Sequence, residues 1–192
     1  LPLEELQKSL PEIDTFEEKD VICPIQQGLA DENPDVDAVF RLAFPLPLDF
    51  NKAGNIALGN NAWCPFNSQN TYWYKEAFPL LYLPSYCSFR MTDIWRSYVA
   101  QRIAWANGWS ILFHDATVWQ VRNEHDLLKD FEDEIPGYLN NTKICKGLAT
   151  LDIKGGKENI LTDLVTCYEF LTSAGFVGKE EMPLIHAWVN DV

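Results

Sequence analysis

Residues 91–121 read MTDIWRSYVAQRIAWANGWSILFHDATVWQV, and this stretch decides the fold class. Thr92 is placed to cap a helix, Asp93 falls in its first turn, and Ile94, Trp95, Tyr98, Val99 and Ile103 build an apolar face that runs to about Ala106. Gly108 stops it. Trp109–Phe113 and Thr117–Val121 then run apolar or alternate like two strands, joined by His114-Asp115. A helix that feeds directly into strands predicts an α/β body.

Upstream, the first forty residues predict a short helix, a buried strand near Val21–Ile25, and a second helix opened by Asn33 as cap and Pro34 as first residue. Val36, Val39, Phe40 and Ala43 share one face of that helix. Pro45 to Ser68, rich in Pro, Gly and Asn, predicts loops around short strands, one near Asn55–Leu58. Tyr72 to Leu83 is aromatic and contains Pro79, so any helix there is short or kinked. Downstream, periodicity predicts helices at 125–134, 142–153, 158–174 and 180–190, with Gly175 as a stop. The last 55 residues thus read as a helical appendage on the α/β body.

Composition narrows the function classes. A chain of 192 residues with 47% hydrophobic and 22% charged residues can bury a sizeable core. Its formal charge of −13 argues against broad binding to nucleic acid or to an anionic membrane surface, which need a basic face. That charge is uneven. Residues 1–37 carry −9, 38–123 carry +3, 124–134 carry −5 and 135–192 carry −2. The mildly basic middle, with Arg90, Arg96, Arg102 and Arg122, leaves room for a nucleotide diphosphate while excluding polyanions. No run approaches the length of a membrane span, and the N-terminus has neither a basic nor an apolar targeting region. Leu1, with an amphipathic Leu- and Glu-rich segment starting at once, reads as a cut from a longer polypeptide. Cys23, Cys64, Cys87, Cys145 and Cys167 are scattered without zinc-site spacing, which fits buried thiols or one or two disulfides with a leftover. Asn140-Asn141-Thr142 is a formal glycosylation sequon.

Four constellations carry chemistry. Gln26-Gln27-Gly28-Leu29 leads into Pro34-Asp35-Val36-Asp37, whose paired carboxylates suit a divalent ion but suit a helix N-terminus better. Asn67-Ser68-Gln69-Asn70-Thr71, beside Trp63, Tyr72, Trp73 and Tyr74, offers the amides, hydroxyls and aromatic faces that a sugar ring requires, and equally a polar turn. Asp93, flanked by Arg90 and Arg96, fits a general base in an electropositive pocket, or a partner of the helix dipole. In Gln120-Val121-Arg122-Asn123-Glu124-His125, just past a predicted strand, Arg122 suits phosphate and His125 suits metal or proton transfer.

Taken in order, these segments resemble the STELLO family of Golgi glycosyltransferases. The matching stretches are Leu1-Pro2-Leu3-Glu4, Ile25 to Gly28 through Pro34 to Phe40, Pro65 to Thr71, Ala77-Phe78 through Leu83-Pro84, Asp93 to Tyr98 with Gln101-Arg102, and Gly175-Phe176 to Ala187-Trp188. The order PDVDAV then D-I-W is also similar to the UDP-arabinopyranose mutases. The resemblance implies the C-terminal, acceptor-side half of a GT-A-type nucleotide-diphospho-sugar transferase fold at residues 1–137, with the helical appendage at 138–192. It implies a nucleotide-sugar donor, a glycan or protein acceptor, Golgi enzyme partners, and a place in the Golgi lumen as the soluble part of a membrane-anchored protein. Asp93 becomes the catalytic candidate, and Gln27, Asn67, Asn70, Arg90, Trp95, Arg96, Arg122 and Asn123 the substrate-binding ones. A manganese or magnesium ion is implied mainly for the half that precedes this chain. Plant members place a His near Trp119-Gln120 that is absent here, which leaves Gln120 or His125 as the candidate ligands from this chain. The alternative is a non-catalytic glycan-binding or scaffolding module. Alone, the chain is expected to be inactive.

Overall fold

A computed structural model describes residues 18, 20–52, 54–121 and 126–192. Two long strands, β1 (Ile22–Glu32) and β4 (Trp109–Gln120), pair in parallel at the centre of a mixed sheet. Short strand β2 (Ile56–Leu58) pairs antiparallel with β4, and β3 (Thr71–Trp73) antiparallel with β1, giving the order β2-β4-β1-β3. A parallel pair needs a long crossover. That crossover carries the short helix α1 (Ala38–Ala43) and helix α2 (Thr92–Ala106). Helices α3 (Leu127–Thr150), α4 (Ile160–Ser173) and α5 (Glu181–Asp191) complete an α/β fold.

Helix α2 is the hub. Trp95, Tyr98, Val99, Ala100, Ile103 and Ala104 are all buried, along with Arg96, Ser97 and Gln101, so the helix is covered nearly all round. Its apolar surface joins Ile25 and Ile111 of the sheet to Ile144 and Leu148 of α3, Leu164 and Leu171 of α4, and Ile185 of α5 in one cluster. That cluster holds residues on both sides of position 137, which itself lies in the middle of α3.

Several predicted boundaries move, each for a physical reason. The helix expected from Pro34 begins only at Ala38, because Asp37 is its cap and accepts from the Phe40 N–H at 3.0 Å. The strand expected near Val21–Ile25 runs on to Glu32, held by the parallel ladder to β4. Thr92 does not cap α2. A 3-10 turn at Phe89–Met91 leads straight in, and the Thr92 hydroxyl donates back to the Phe89 carbonyl at 3.0 Å. The two strands expected either side of His114-Asp115 are one twelve-residue strand, since His114 sits in the ladder opposite Gly28 and its ring contacts Gln26 and Asn55. The helices expected at 125–134 and 142–153 fuse into one of 24 residues that contains Pro136. Glu134, Gly137 and Asn141 are buried on either side of that proline, so packing overrides the break it favours. The short helix expected near the N-terminus lies outside the described residues.

Candidate active site

The sheet order brings three sequence-distant segments together. The end of β1, the loop Asn67–Asn70 that leads into β3, and the first turn of α2 meet, and hydrogen bonds join them. Gly28 N–H donates to the Asn70 carbonyl at 2.8 Å, Asn67 N–H donates to Gln27 Oε1 at 3.1 Å, and Asp35 N–H donates to Gln69 Oε1 at 3.1 Å. Asn67 Nδ2 in turn donates to the Asp35 carbonyl at 3.3 Å. Between β1, the segment after it and the polar loop lies a cavity of about 120 Å³ with Gln27, Asp35, Asn67 and Gln69 as polar lining and Phe50, Phe66 and Phe113 as apolar lining; α2 contributes no residue to it.

Asp93 anchors the α2 side. Its Oδ2 accepts from the Ser68 N–H at 3.0 Å, which ties the polar loop to the helix N-terminus. Burial pushes its carboxyl above the ordinary aspartate range; the Ser68 N–H and Arg96 pull it back, and Asp35 pushes it further up. The net rise gives a carboxylate readier than an ordinary aspartate to take a proton. One turn on, Arg96 is only 4% exposed. Its guanidinium lies 5.0 Å from the Trp73 ring centre and 6.0 Å from that of Phe66, and donates to Ser68 Oγ at 3.2 Å. Its Nε has no hydrogen-bond partner among the described residues, and burial lowers its proton affinity.

The other expected residues fall in different places. Gln27 lines the cavity, but its amide oxygen also accepts from Thr71 Oγ1 at 3.0 Å, so both its oxygen contacts hold the loop. Asn70 Nδ2 donates to the Leu29 carbonyl at 3.1 Å and to Thr117 Oγ1 at 2.8 Å. Trp95 is 2% exposed and donates through Nε1 to Asn141 at 3.0 Å, inside the core. Arg90 is held by carboxylates, with Glu134 at 2.7 Å, Asp35 at 3.9 Å and Asp130 at 4.0 Å. Burial opposes its charge, yet these three acids together raise its proton affinity. Gln120 Oε1 accepts from Gln69 Nε2, so β4 ends against the same polar loop. Arg122, Asn123 and His125 follow within a few residues and lie outside the described residues.

Asp35 and Asp37 behave as structural carboxylates. Asp35 faces Arg90, while Asp37 caps α1 and accepts from the Tyr138 hydroxyl at 3.2 Å. Among the described residues no group of three or more His, Cys, Asp or Glu side chains converges as a metal site would. The pair therefore does not fit a bound cation. Sequence reasoning missed Glu134, and it named Gln69 only as part of the polar run 67–71 and not among the binding candidates. Buried Glu134 accepts from the Ala38 N–H at 2.8 Å and the Tyr138 hydroxyl at 2.6 Å as well as from Arg90, and it lies 96 residues from Ala38 in sequence, beyond any local signal.

The site thus has the parts a group-transfer enzyme acting on a hydroxyl would use: a carboxylate of raised proton affinity, a buried guanidinium, and a cavity rimmed by amides and aromatic rings. Comparison with known proteins gives the family. The family model described as STELLO glycosyltransferases matches residues 90–192, more than half of the chain, and the chain belongs to that family. It is 27% identical over 176 residues to "Probable glycosyltransferase STELLO2" and 27% identical over 175 residues to "Probable glycosyltransferase STELLO1", both of Arabidopsis thaliana. Each match takes in 88% of this chain and 22% of the relative, so the chain spans about a fifth of the length of the curated relatives it matches. Among the described residues no helix is long and apolar enough to cross a membrane.

Proposed function

We propose that this chain forms the acceptor side of the cleft of a glycosyltransferase that moves a sugar from a nucleotide-diphospho-sugar to a glycan or protein hydroxyl. The observation that carries the proposal is Asp93: a half-buried carboxylate at a helix N-terminus, fixed by the Ser68 N–H, with proton affinity raised by burial and by Asp35. In this role Asp93 accepts the proton of the acceptor hydroxyl as its oxygen bonds to the anomeric carbon, the bond from that carbon to the diphosphate oxygen breaks and the nucleotide diphosphate leaves, while Arg96 holds Ser68 and the loop in place. Arg122, next after Val121 in sequence, is the residue proposed to meet the leaving diphosphate, with Asn123 beside it in sequence. The half-domain assignment to a GT-A-type fold is part of this proposal, as are the Golgi lumen and Golgi enzyme partners. So is a manganese or magnesium ion, assigned to the part of the protein beyond these 192 residues because Asp35 and Asp37 are committed elsewhere.

The test is manganese-dependent turnover of UDP-sugars by the full-length protein and by its Asp93→Asn variant, with a fold check by circular dichroism. The expected result is turnover in the parent and a loss of about 10²–10⁴-fold in the variant, the usual range for a general base. Turnover unchanged in Asp93→Asn removes that residue from the mechanism. No turnover in either protein favours the non-catalytic module. The 192-residue chain alone is expected to be inactive, and robust turnover by it would overturn the half-domain assignment.

A further inference from the structure

We infer that the loop from Leu83 to Phe89 is the platform on which an uncharged acceptor glycan lies, its sugars stacking on the rings of Tyr86 and Phe89. The inference rests on Asp93 as the base of the proposed transfer, and it assigns the acceptor to glycan rather than to protein. Phe89 is 85% exposed and Tyr86 48%, and neither ring packs on another aromatic ring among the described residues. Both therefore offer a free face. The loop also leads directly to the site. The Phe89 carbonyl accepts the Thr92 N–H, and Asp93 is the next residue, so ring and carboxylate are one turn apart. Arg90, beside Phe89, reaches Asp35 at 3.9 Å, and Asp35 lines the cavity.

These rings are exposed on a segment that is firmly held. Glu181, at the start of α5 and 0% exposed, accepts from the Ser85 N–H at 2.9 Å, the Tyr86 N–H at 2.7 Å and the Tyr82 hydroxyl. The Gly178 N–H donates to the Tyr86 carbonyl at 2.8 Å, and the Ser88 hydroxyl donates to the Asp133 carbonyl. Burying a carboxylate is costly unless its oxygens are satisfied, and here the partners that satisfy them are the backbone of this loop. A surface fixed in advance loses little freedom when a ligand settles on it. Composition selects the ligand. Leu83-Pro84-Ser85-Tyr86-Cys87-Ser88-Phe89 contains no charged residue, so a charged ligand finds no partner on the loop itself. What it does offer is aromatic faces interspersed with the hydroxyls of Ser85 and Tyr86, and a pyranose presents the matching surfaces, an apolar C–H face and a rim of hydroxyls.

Binding of the 192-residue chain to an array of neutral oligosaccharides, with anionic oligosaccharides and peptides printed beside them, tests this. The parent is expected to bind neutral oligosaccharides. Phe89→Ala and Tyr86→Ala should each weaken that binding about three- to tenfold, the usual worth of one stacked ring, while Phe89→Trp keeps it. Leu139→Ala, which removes an exposed apolar side chain from α3, should leave it unchanged. In the full-length protein the two ring variants should raise the acceptor KM by the same factor and leave hydrolysis of the UDP-sugar by water untouched. No binding to any neutral oligosaccharide, a preference for peptides or anionic sugars, binding indifferent to both ring variants, or an equal loss in Leu139→Ala overturns the inference. Ring-dependent binding together with full turnover in Asp93→Asn faults the assignment of the base and supports the platform. Circular dichroism of each variant separates loss of binding from loss of fold.

Discussion

Replacing Arg90 with Met tests whether that arginine belongs to the substrate or to the scaffold. Its guanidinium reaches buried Glu134 at 2.7 Å with Asp35 and Asp130 at the edge of contact, and its side chain is 16% exposed. Removing the cation leaves Glu134 charged inside the protein, a change that costs about 3–5 kcal/mol at fully buried pairs, so about 3 kcal/mol is expected at this partly exposed one. For a chain of this length that is a fall in Tm of about 6–12 °C. Adding Glu134→Gln removes the stranded charge and keeps an oxygen for the Ala38 N–H and the Tyr138 hydroxyl, so about 2 kcal/mol should return. Urea unfolding of the two single variants and the double, read as a double-mutant cycle, makes the comparison. A loss below about 1 kcal/mol in Arg90→Met, or a double variant no more stable than the single, refutes the scaffold role. Activity of the full-length protein adds the functional arm. If Arg90 touches substrate, turnover stays lost in the double variant after stability has returned; if it only holds residues 34–38 against α3, turnover returns too.

Asp93→Asn should also change stability in a defined direction. The folded-state proton affinity of Asp93 lies above that of the unfolded chain, so its contribution is fully present below the ordinary aspartate range and is lost as pH rises through the raised folded value. The variant is expected to be the more stable protein at neutral pH, with the advantage vanishing in acid, as thermal melts from pH 3 to 8 would show; a variant less stable at pH 7 contradicts this. Gly28→Ala places a methyl group against the Asn70 amide and 2.8 Å from Thr117 Oγ1, displacing the bond from Asn70 to the Leu29 carbonyl. A loss of about 1–3 kcal/mol in urea unfolding is expected, and a neutral substitution would show that the loop tolerates Asn70 elsewhere. All five cysteines are free, and burial pushes the Cys167 thiol up to about 12. Thiol titration of the native chain at pH 8 should therefore leave Cys167 unmodified until denaturant is added, with partly exposed Cys23 reacting first, and rapid native-state modification of Cys167 counts against the packing of α4.

The elements that were legible from sequence are those whose signal is local. Thr92–Ala106, ended by Gly108 in the left-handed region at φ 70°, and α4, followed by Gly175 at φ 74°, came from apolar periodicity and a glycine stop. What was not legible depends on partners far away in sequence. Nothing local shows that His114 continues a strand, because the reason lies in Gln26 and Gly28 across the ladder. Nothing local shows that a helix runs through Pro136, because the reason is burial of its neighbours against α2 and the 3-10 turn before it. The site divides along the same line. Residues 67–71 and Asp93 were visible as chemistry, but their joining through the Ser68 N–H is a tertiary fact. The resemblance supplied the order of segments that pattern alone could not interpret.

The arginines of the mildly basic middle carry a further consequence. Arg90 is paired with Glu134, and Arg102 donates to the carbonyls of Leu148 and Leu151 at 2.9 Å each, closing the C-terminal end of α3. Arg96 lies over the rings of Trp73 and Phe66 and donates to Ser68 Oγ of the loop. Among the described residues these three are thus engaged in holding helices and loop together, so their charge is already partnered within the fold. Under the proposed reaction, Arg122 is the arginine of this stretch proposed to meet a nucleotide diphosphate, and the curated relatives are matched over only 22% of their own length. What this chain keeps for itself is the carboxylate of Asp93, and a carboxylate at a desolvated helix N-terminus is suited to a neutral hydroxyl rather than to a phosphate.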